Sequence, residues 1–195
     1  MLGKKNYQVK LYGAIKTFFD LIFAVICLIL GLPLFISIAL LIKLSSRGPI
    51  FFLQKRIGKN NKYFMCLKFR TMHPDSDDIL KNLITNNEKI RKEFEETHKL
   101  KNDPRITNIG KILRKTSLDE IPQFINVLKL EMSVVGPRPI VKEEIEKYGE
   151  SISKVLSIKP GITGLWQVSG RNNLSYKKRV FLDCSYVKNI NFLLD

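Results

Sequence analysis

The stretch "LIFAVICLILGLPLFISIALLI", residues 21 to 42, carries no charged side chain and lies between Asp20 and Lys43. A straight α-helix of this length would be roughly 33 Å long, enough to cross a hydrocarbon core of about 30 Å. The apolar run is too long for a cleavable signal peptide, and no A-x-A-like site follows it. The sequence therefore predicts that this segment stays in a membrane.

A glycine and a proline interrupt the segment near its middle, at Gly31 and Pro33. Proline removes a backbone donor and clashes with the preceding turn, so we expect a break that leaves each half too short to span the bilayer. The flanks are basic on both sides, and the positive-inside rule favours keeping both on the cytoplasmic side. We therefore expect a re-entrant helix-break-helix; a kinked crossing and a buried core helix remain the alternatives.

The chain is strongly basic, with 33 Lys plus Arg against 18 Asp plus Glu and a formal net charge of +15. Such a field attracts nucleic acid, anionic lipid or a phosphorylated substrate. We find no nucleic-acid-binding module, and the charge is densest directly after the apolar segment, so anionic headgroups are the expected partner. The basic residues of that run are Lys43, Arg47, Lys55, Arg56, Lys59, Lys62, Lys68 and Arg70.

Cysteine and histidine usage argues against disulfides and structural zinc. The three cysteines are scattered, which is typical of a protein facing a reducing cytosol. The histidines are only His73 and His98, and we expect both to be ordinary surface or packing residues.

Local patterns predict short elements after the membrane segment. Residues 45–72 alternate apolar runs with Gly, Pro and Asn, which indicates a β-hairpin turning at "GKNNK", residues 58–62. Residues 77–100 are charge-rich and indicate a solvent-facing helix, and residues 140–148 indicate a short helix. Apolar residues at 121, 124, 125 and 128 predict an amphipathic helix. The Gly-rich stretch at 158–173 is expected to be a loop.

Two adjacent carboxylates, Asp119 and Glu120, stand in "RKTSLDEIPQ", residues 114–123. Ser117 followed by Glu120 matches a capping box, and acidic residues favour a helix first turn. The same position suits catalysis, since a helix dipole and Arg114 would keep Asp119 ionised for attack on phosphorus. A neighbouring carboxylate can hold Mg²⁺. Capping and catalysis are compatible, and position alone does not choose between them.

Phosphoryl transfer also needs fixed cations to stabilise charge on the nonbridging oxygens. Basic residues with glycine or proline neighbours supply candidates: Lys68 and Arg70 in "KFR", Arg138 in "GPRP" and Arg171 in "SGR". Each of them alone would be read as a surface charge. Together they support a site that handles phosphate.

Three stretches, "KFRTM" (68–72), "LRKTSLDEIPQFINVLKLEMSVVGPRP" (113–139) and "KPGITGLWQVSGRN" (159–172), resemble the bacterial sugar transferases, the monotopic phosphoglycosyl transferases. The resemblance implies an α+β, mainly helical fold. It implies a monotopic membrane protein with a re-entrant helix broken at Pro33, interfacial amphipathic helices and a small β-hairpin. We expect a membrane element at 1–45 and a catalytic domain at 46–195.

The activity implied is transfer of a sugar 1-phosphate from a UDP-sugar to polyprenyl (undecaprenyl) phosphate, with release of UMP. This is the first membrane step in making surface polysaccharide. The reaction would need Mg²⁺ and take place at the cytoplasmic face of the bacterial inner membrane. The sugar implied is galactose or glucose; an N-acetylated or diacetamido donor and a non-catalytic membrane scaffold are the alternatives. A homodimer is compatible with the sequence, and nucleic acid is not an expected partner.

The resemblance also assigns roles to individual residues. Asp119 matches the nucleophile that forms a covalent sugar-phosphate intermediate, and Glu120 matches its metal-associated partner. The residues expected to bind substrate phosphates or to line the site are Lys68, Arg70, Arg114, Arg138, Arg171 and, in the closing element "DCSYVKNINFLLD", Asp195.

Overall fold

The computed structural model describes residues 2–97 and 100–195; His98 lies outside them. The protein is mainly helical with a small β-hairpin, as predicted. The α-helices in the described residues are α1 (Leu2–Leu30), α2 (Leu32–Ser45), α3 (Ser76–Asn86), α4 (Glu88–Thr97), α5 (Asn108–Thr116), α6 (Gln123–Leu128), α7 (Ile145–Tyr148), α8 (Ile152–Val155), α9 (Leu165–Val168) and α10 (Tyr176–Asn189). The strands there are β1 (Phe51–Ile57), β2 (Tyr63–Phe69), β3 (Ser133–Val135) and β4 (Gly161–Thr163).

Strands β1 and β2 form the predicted hairpin. Its turn is a short 3₁₀ helix, Lys59–Asn61, in which Asn60 and Asn61 have left-handed φ values of 56° and 61°. Asparagine tolerates this conformation better than most residues, which explains the choice of "NN" at the turn.

Strands β3 and β4 form a parallel pair, in which Ser133 aligns with Gly161. The loop expected at 158–173 is therefore wrong in part, because this stretch contains β4, α9 and a 3₁₀ turn at Arg171–Asn173. A side chain at Gly161 would lie 2.1 Å from the backbone nitrogen of Gly136. The glycine is needed because two backbones approach closely there.

The break in the apolar segment is confirmed, since α1 ends at Leu30 and α2 begins at Leu32. Pro33 lies at the start of α2, where its missing N–H costs nothing. The expectation that both halves are too short to span a membrane is wrong for the first half. Within α1, Tyr12–Leu30 comprises 19 residues and is long and apolar enough to cross by length and composition. The re-entrant arrangement stays a prediction.

The chain divides into two compact units. The first comprises the chain up to Leu32, Leu53–Leu67 and Pro122–Asp195; the second comprises Pro33–Phe52 and Lys68–Ile121. The first unit contains two buried apolar clusters and the second contains one, among the described residues. The predicted division at residue 45 between a membrane element and a catalytic domain stays a prediction.

In the first unit, α1 packs against α6 and β3. The cluster at this contact consists of Ala24, Phe64, Cys66, Val127 and Met132. A polar contact reinforces it, because the Asp20 carboxylate accepts a hydrogen bond of 2.6 Å from the Ser133 hydroxyl. The long apolar helix is thus joined to the rest of its unit by both apolar and polar contacts.

The buried face of α6 differs from the predicted stripe. Gln123, Asn126 and Val127 are buried, whereas Leu128 is 38% exposed. The reason is a network around the Asn126 side chain, which accepts from the Leu67 N–H at 2.9 Å and donates to the Met65 carbonyl at 2.8 Å. A buried amide that satisfies the free backbone of β2 outweighs the burial of one leucine.

In the second unit, a cluster of Ile38, Ile42, Phe69 and Leu113 joins α2 to α5. The ring of Phe35 lies 4.8 Å from that of Phe69, centroid to centroid. Helix α5 begins at a true cap, where the Thr107 hydroxyl accepts from the Gly110 N–H at 2.9 Å.

The remaining predicted helices are present in modified form. Of the helix expected at 77–100, the described part holds two helices, α3 and α4, which are separated at Asn87, and residues 98 and 99 lie outside the described residues. The helix expected at 140–148 is a 3₁₀ turn, Lys142–Glu144, followed by α7.

We predict that Gly110→Ala destabilises the protein. A Cβ at this position would lie 2.0 Å from the Thr71 carbonyl oxygen, so α5 must shift. Overpacking of this kind costs about 1–3 kcal/mol, and each kcal/mol lowers the Tm by about 2–4 °C in a chain of this size. Thermal unfolding in detergent measures the effect. Gly13→Ala is the matched control, because nothing lies within 4 Å of that position and α1 should tolerate alanine. Equal Tm values for the two variants would contradict the close approach.

Candidate active site

The carboxylate pair lies on a 3₁₀ turn between two helices. Helix α5 ends at Thr116, its C-cap Ser117 has a left-handed φ of 60° and ψ of 16°, and the turn Leu118–Glu120 follows. The predicted capping box is wrong, because the Ser117 side chain makes no capping hydrogen bond and α6 begins only at Gln123. The helix-dipole effect expected at Asp119 stays a prediction, since the turn continues through Ile121 and Pro122, both in the right-handed helical region, into α6.

An ion pair fixes Glu120. The Lys68 Nζ donates to the Glu120 carboxylate at 2.6 Å, and the two side chains are 15% and 19% exposed. Lys68 is the penultimate residue of β2, and Phe69 next to it is fully buried. Lys68, at the end of the hairpin, therefore binds the Leu118–Glu120 turn through an ion pair, while packing of the adjacent Phe69 fixes the end of β2.

Asp119 lies between opposing influences. Burial is the largest and raises the pKa of Asp119 above its ordinary value, and the charge of Glu120 acts in the same direction. The positive charges of Lys68 and Arg114 lower it. The expectation that Arg114 helps to keep Asp119 ionised holds in direction, but burial outweighs it. A carboxylate with a raised pKa is more basic, and two cations beside it favour its charged form.

Arg114 is oriented by a neighbour. Its Nε donates to the Thr71 hydroxyl at 2.9 Å. Arg114 also interacts with a buried ion pair that the sequence did not reveal, in which Arg105 donates to both Asp103 oxygens at 2.8 and 2.7 Å. Burial raises the pKa of Asp103, but the hydrogen bonds and charge of Arg105 bring it below the ordinary value. The two arginines and Asp103 also interact electrostatically.

Arg70 makes backbone contacts. Its guanidinium donates to the carbonyls of Arg47 at 2.6 Å and Ser46 at 2.9 Å, directly after α2. This arrangement satisfies free carbonyls at a helix end and favours a structural role. Phosphate binding by Arg70 stays a prediction.

The other predicted site residues belong to the first unit. Arg138 lies over the ring of Trp166, with 5.9 Å from its guanidinium carbon to the ring centroid. Arg171 is exposed at the start of a 3₁₀ turn, with a left-handed φ of 47°. Asp195 accepts hydrogen bonds from Tyr12 and Tyr186 and pairs with Lys16 at 2.9 Å. Asp195 is thus tied to the polar face of α1.

The donor set at the dyad fits Mg²⁺. Asp119 and Glu120 offer carboxylate oxygens, which hard cations prefer, and Mg²⁺ is commonly held by one or two carboxylates plus substrate phosphates. In residues 2–97 and 100–195, no group of three or more His, Cys, Asp or Glu side chains could hold a metal. The position of Lys68 on Glu120 already shows that this carboxylate attracts a cation.

A model of the bacterial sugar transferases matches residues 11–195. The chain belongs to the bacterial sugar transferase family. It is 46% identical over 183 residues to the exopolysaccharide production protein ExoY of Sinorhizobium fredii, covering 94% of this chain and 81% of the relative. The family assignment made from three sequence stretches is therefore confirmed.

Two further relatives carry more specific names. The chain is 48% identical to the undecaprenyl-phosphate galactose phosphotransferase of Salmonella typhimurium, covering 90% of this chain and 37% of the relative. It is 38% identical to the undecaprenyl-phosphate glucose phosphotransferase of Komagataeibacter xylinus, covering 92% of this chain and 33% of the relative. The chain thus spans about a third of the length of these two proteins.

Several buried polar residues of this sugar transferase were missed by sequence reasoning. The sequence signal that they share is weak. Each stands in an otherwise apolar or tightly turning stretch, where a buried polar side chain needs a hydrogen-bond partner. They are Asp103, Arg105, Gln123, Asn126 and Asp183.

We predict that the protein with Gly at position 117 is at least as stable as the wild type with Ser, and that the variant with Thr is less stable than both. The left-handed backbone favours glycine and penalises a β-branched side chain by about 1 kcal/mol or more. A capping role would instead make Ser the most stable and leave Thr close to Gly. Thermal unfolding of Ser117→Gly and Ser117→Thr measures the order.

Ser175 provides the matched control, because it has a φ of −60° and its hydroxyl caps α10 by accepting from the Lys178 N–H. Ser175→Thr should be tolerated and Ser175→Gly should lose a few tenths of a kcal/mol. The same order at both serines would contradict the left-handed assignment at Ser117.

Proposed function

We propose that this protein transfers a sugar 1-phosphate from a UDP-sugar to polyprenyl phosphate and releases UMP. The observation that carries the proposal is the clustering of Asp119, Glu120, Lys68 and Arg114, two carboxylates and two cations, within one compact unit. Family membership and relatives named as undecaprenyl-phosphate sugar phosphotransferases support it.

In the first step, an Asp119 carboxylate oxygen attacks the β-phosphorus of the UDP-sugar. The bond from this phosphorus to the bridging oxygen breaks, and UMP leaves with the electron pair. The product is a sugar phosphate bound to Asp119 as an acyl phosphate. Attack requires ionised Asp119, and the charges of Lys68 and Arg114 favour that form.

In the second step, an oxygen of polyprenyl phosphate attacks the same phosphorus. The bond to Asp119 breaks, the carboxylate is restored and the polyprenyl diphosphate sugar is formed. No proton is gained or lost over the cycle when both phosphate substrates are fully ionised. Both attacks place negative charge on the nonbridging oxygens, which is the charge that Lys68 and Arg114 are able to stabilise.

Asp119 and Glu120 would hold Mg²⁺, which supplies charge neutralisation at the diphosphate when bound. Glu120 also holds Lys68 at 2.6 Å, so the carboxylate orients one of the two cations directly. Arg138 and Arg171, in the first unit, and Arg70 are proposed to bind substrate phosphates.

A membrane location suits the lipid acceptor. Helix α1 contains a stretch long and apolar enough to cross a bilayer, and relatives are named for lipid-carrier substrates. We propose the bacterial inner membrane, a catalytic face toward the cytoplasm, a re-entrant segment at 21–42 and contact with anionic lipid. The donor sugar proposed is galactose or glucose, after the names of the relatives.

We predict that Asp119→Asn abolishes UMP release, by at least about a thousandfold, because the amide cannot act as the nucleophile. The assay combines undecaprenyl phosphate, Mg²⁺ and a panel of UDP-galactose, UDP-glucose and UDP-N-acetylglucosamine. Glu120→Gln should keep partial activity and need more Mg²⁺ for half-maximal rate.

Asp77→Asn is the matched control, since Asp77 and Asp78 form another adjacent acidic pair in the first turn of α3 and are exposed. This variant should turn over at the wild-type rate. Circular dichroism and thermal unfolding would check that each variant is folded. Near-normal turnover by folded Asp119→Asn would contradict the mechanism, and no UMP release by the wild type with any donor would contradict the activity.

A further inference from the structure

Asp183 is a buried carboxylate that the proposed reaction does not use. It lies in α10, is 1% exposed, and accepts a hydrogen bond of 2.9 Å from the Tyr148 hydroxyl through Oδ2. Its Oδ1 is buried and has no hydrogen-bond partner among the described residues. A buried carboxylate with one unsatisfied oxygen is costly, so its retention calls for a counter-charge.

Two guanidinium groups lie over one indole, and the positive charge of one of them, Arg138, acts on this carboxylate. The guanidinium carbons of Arg179 and Arg138 lie 4.9 and 5.9 Å from the centre of the Trp166 ring, which is 6% exposed. Arg179 stands four residues before Asp183 on α10, and its Nε donates to the Leu174 carbonyl at 3.2 Å. Like charges on one ring repel each other, and an anion beside them reduces that repulsion.

The charged and titratable groups around Asp183 come from several elements. Tyr148 comes from α7, Tyr176 from α10 itself, and Arg138 from the loop after β3; Arg179, also in α10, acts on Tyr176. Glu144, in the 3₁₀ turn before α7, interacts with both tyrosines and pairs with Arg56. Burial raises the pKa of Asp183 to about 7, while the Tyr148 hydrogen bond and the charge of Arg138 act in the opposite direction.

We propose that Asp183 is a positioning residue: its carboxylate, fixed by Tyr148, is the counter-charge that keeps the guanidinium group of Arg138 on the Trp166 ring, beside that of Arg179. The consequence for catalysis rests on the proposed function, in which Arg138 binds substrate phosphate. Protonation of Asp183 removes the counter-charge, so the Arg138 guanidinium loosens and donor binding weakens as the pH falls through about 7.

The pH dependence of folding stability distinguishes a positioning role of Asp183 from a purely structural role. The pKa of Asp183 is higher in the folded than in the unfolded state, so the folded protein binds more protons between the ordinary Asp pKa and about 7. Stability from this group therefore falls as the pH rises through that window. Asp183→Asn, which is neutral at every pH, should leave stability near pH 7 unchanged or improved, whereas a residue with only a structural role would lose stability.

Fluorescence of Trp166 tests the proposal directly, because it is the single tryptophan of the chain. Excitation at a wavelength that tyrosine does not absorb should show an emission change in wild-type protein with a midpoint near pH 7. Asp183→Asn should remove the transition. Tyr148→Phe should move the midpoint to higher pH. The hydrogen bond from Tyr148 lowers the pKa of Asp183, so its removal raises that pKa.

The double variant His73→Gln, His98→Gln is the control, since histidine is the side-chain type whose ordinary pKa lies near pH 7. It should keep the wild-type transition. An unchanged transition in Asp183→Asn, or its loss in the histidine variant, would overturn the proposal.

Steady-state kinetics then tests the link to catalysis. The KM for the UDP-sugar should rise several-fold in the wild type as the pH falls through about 7, with little change in kcat. In Asp183→Asn the KM should be high and independent of pH over that range. A protein without turnover would contradict the proposed function, but the fluorescence transition would still decide the role of Asp183.

Discussion

The ion pair between Lys68 and Glu120 is the contact on which the candidate site depends. It joins the end of the β-hairpin to the turn that carries the dyad, and at 2.6 Å with both groups largely buried it is stronger than an exposed pair. It sets the position of one carboxylate directly and places a positive charge beside the other. The flanking elements reinforce this geometry through Phe69 and Leu113, which share one buried cluster.

Electrostatics at Asp119 are a balance between opposed effects. Partial burial makes the carboxylate more basic than an exposed aspartate, and Lys68 and Arg114 limit the penalty of charging it. A nucleophile toward phosphorus gains from both, because it must be basic enough to attack and still be ionised. Arg114 is kept in place by Thr71, and the buried pair of Asp103 and Arg105 lies beside it. The charged side chains of the site are thus positioned and stabilised by other charged side chains.

Sequence reasoning predicted the elements that depend on local chemistry. The break at Gly31 and Pro33 and the hairpin turn at Asn60 and Asn61 follow from residues with few backbone choices, and both are confirmed. The sequence context of Ser117 predicts a helix cap, but its left-handed backbone depends on how α5 ends. The parallel pairing of Ser133 with Gly161 and the burial of Asn126 are long-range effects that no local pattern encodes. Within the site, the dyad and its cations lie in the sequence motifs, as does Thr71, while the supporting ion pair of Asp103 and Arg105 does not.

The central claim is that Asp119 carries the sugar phosphate between donor and acceptor. It is tested most directly by incubating the detergent-solubilised protein with a UDP-sugar and Mg²⁺, without polyprenyl phosphate. The reaction is then quenched with acid, the protein is digested, and the peptides are sequenced by mass spectrometry. The account predicts a hexose phosphate on Asp119 that disappears when polyprenyl phosphate is added. Full catalytic turnover with Asp119 unmodified under donor saturation, or an adduct on another residue, would contradict it.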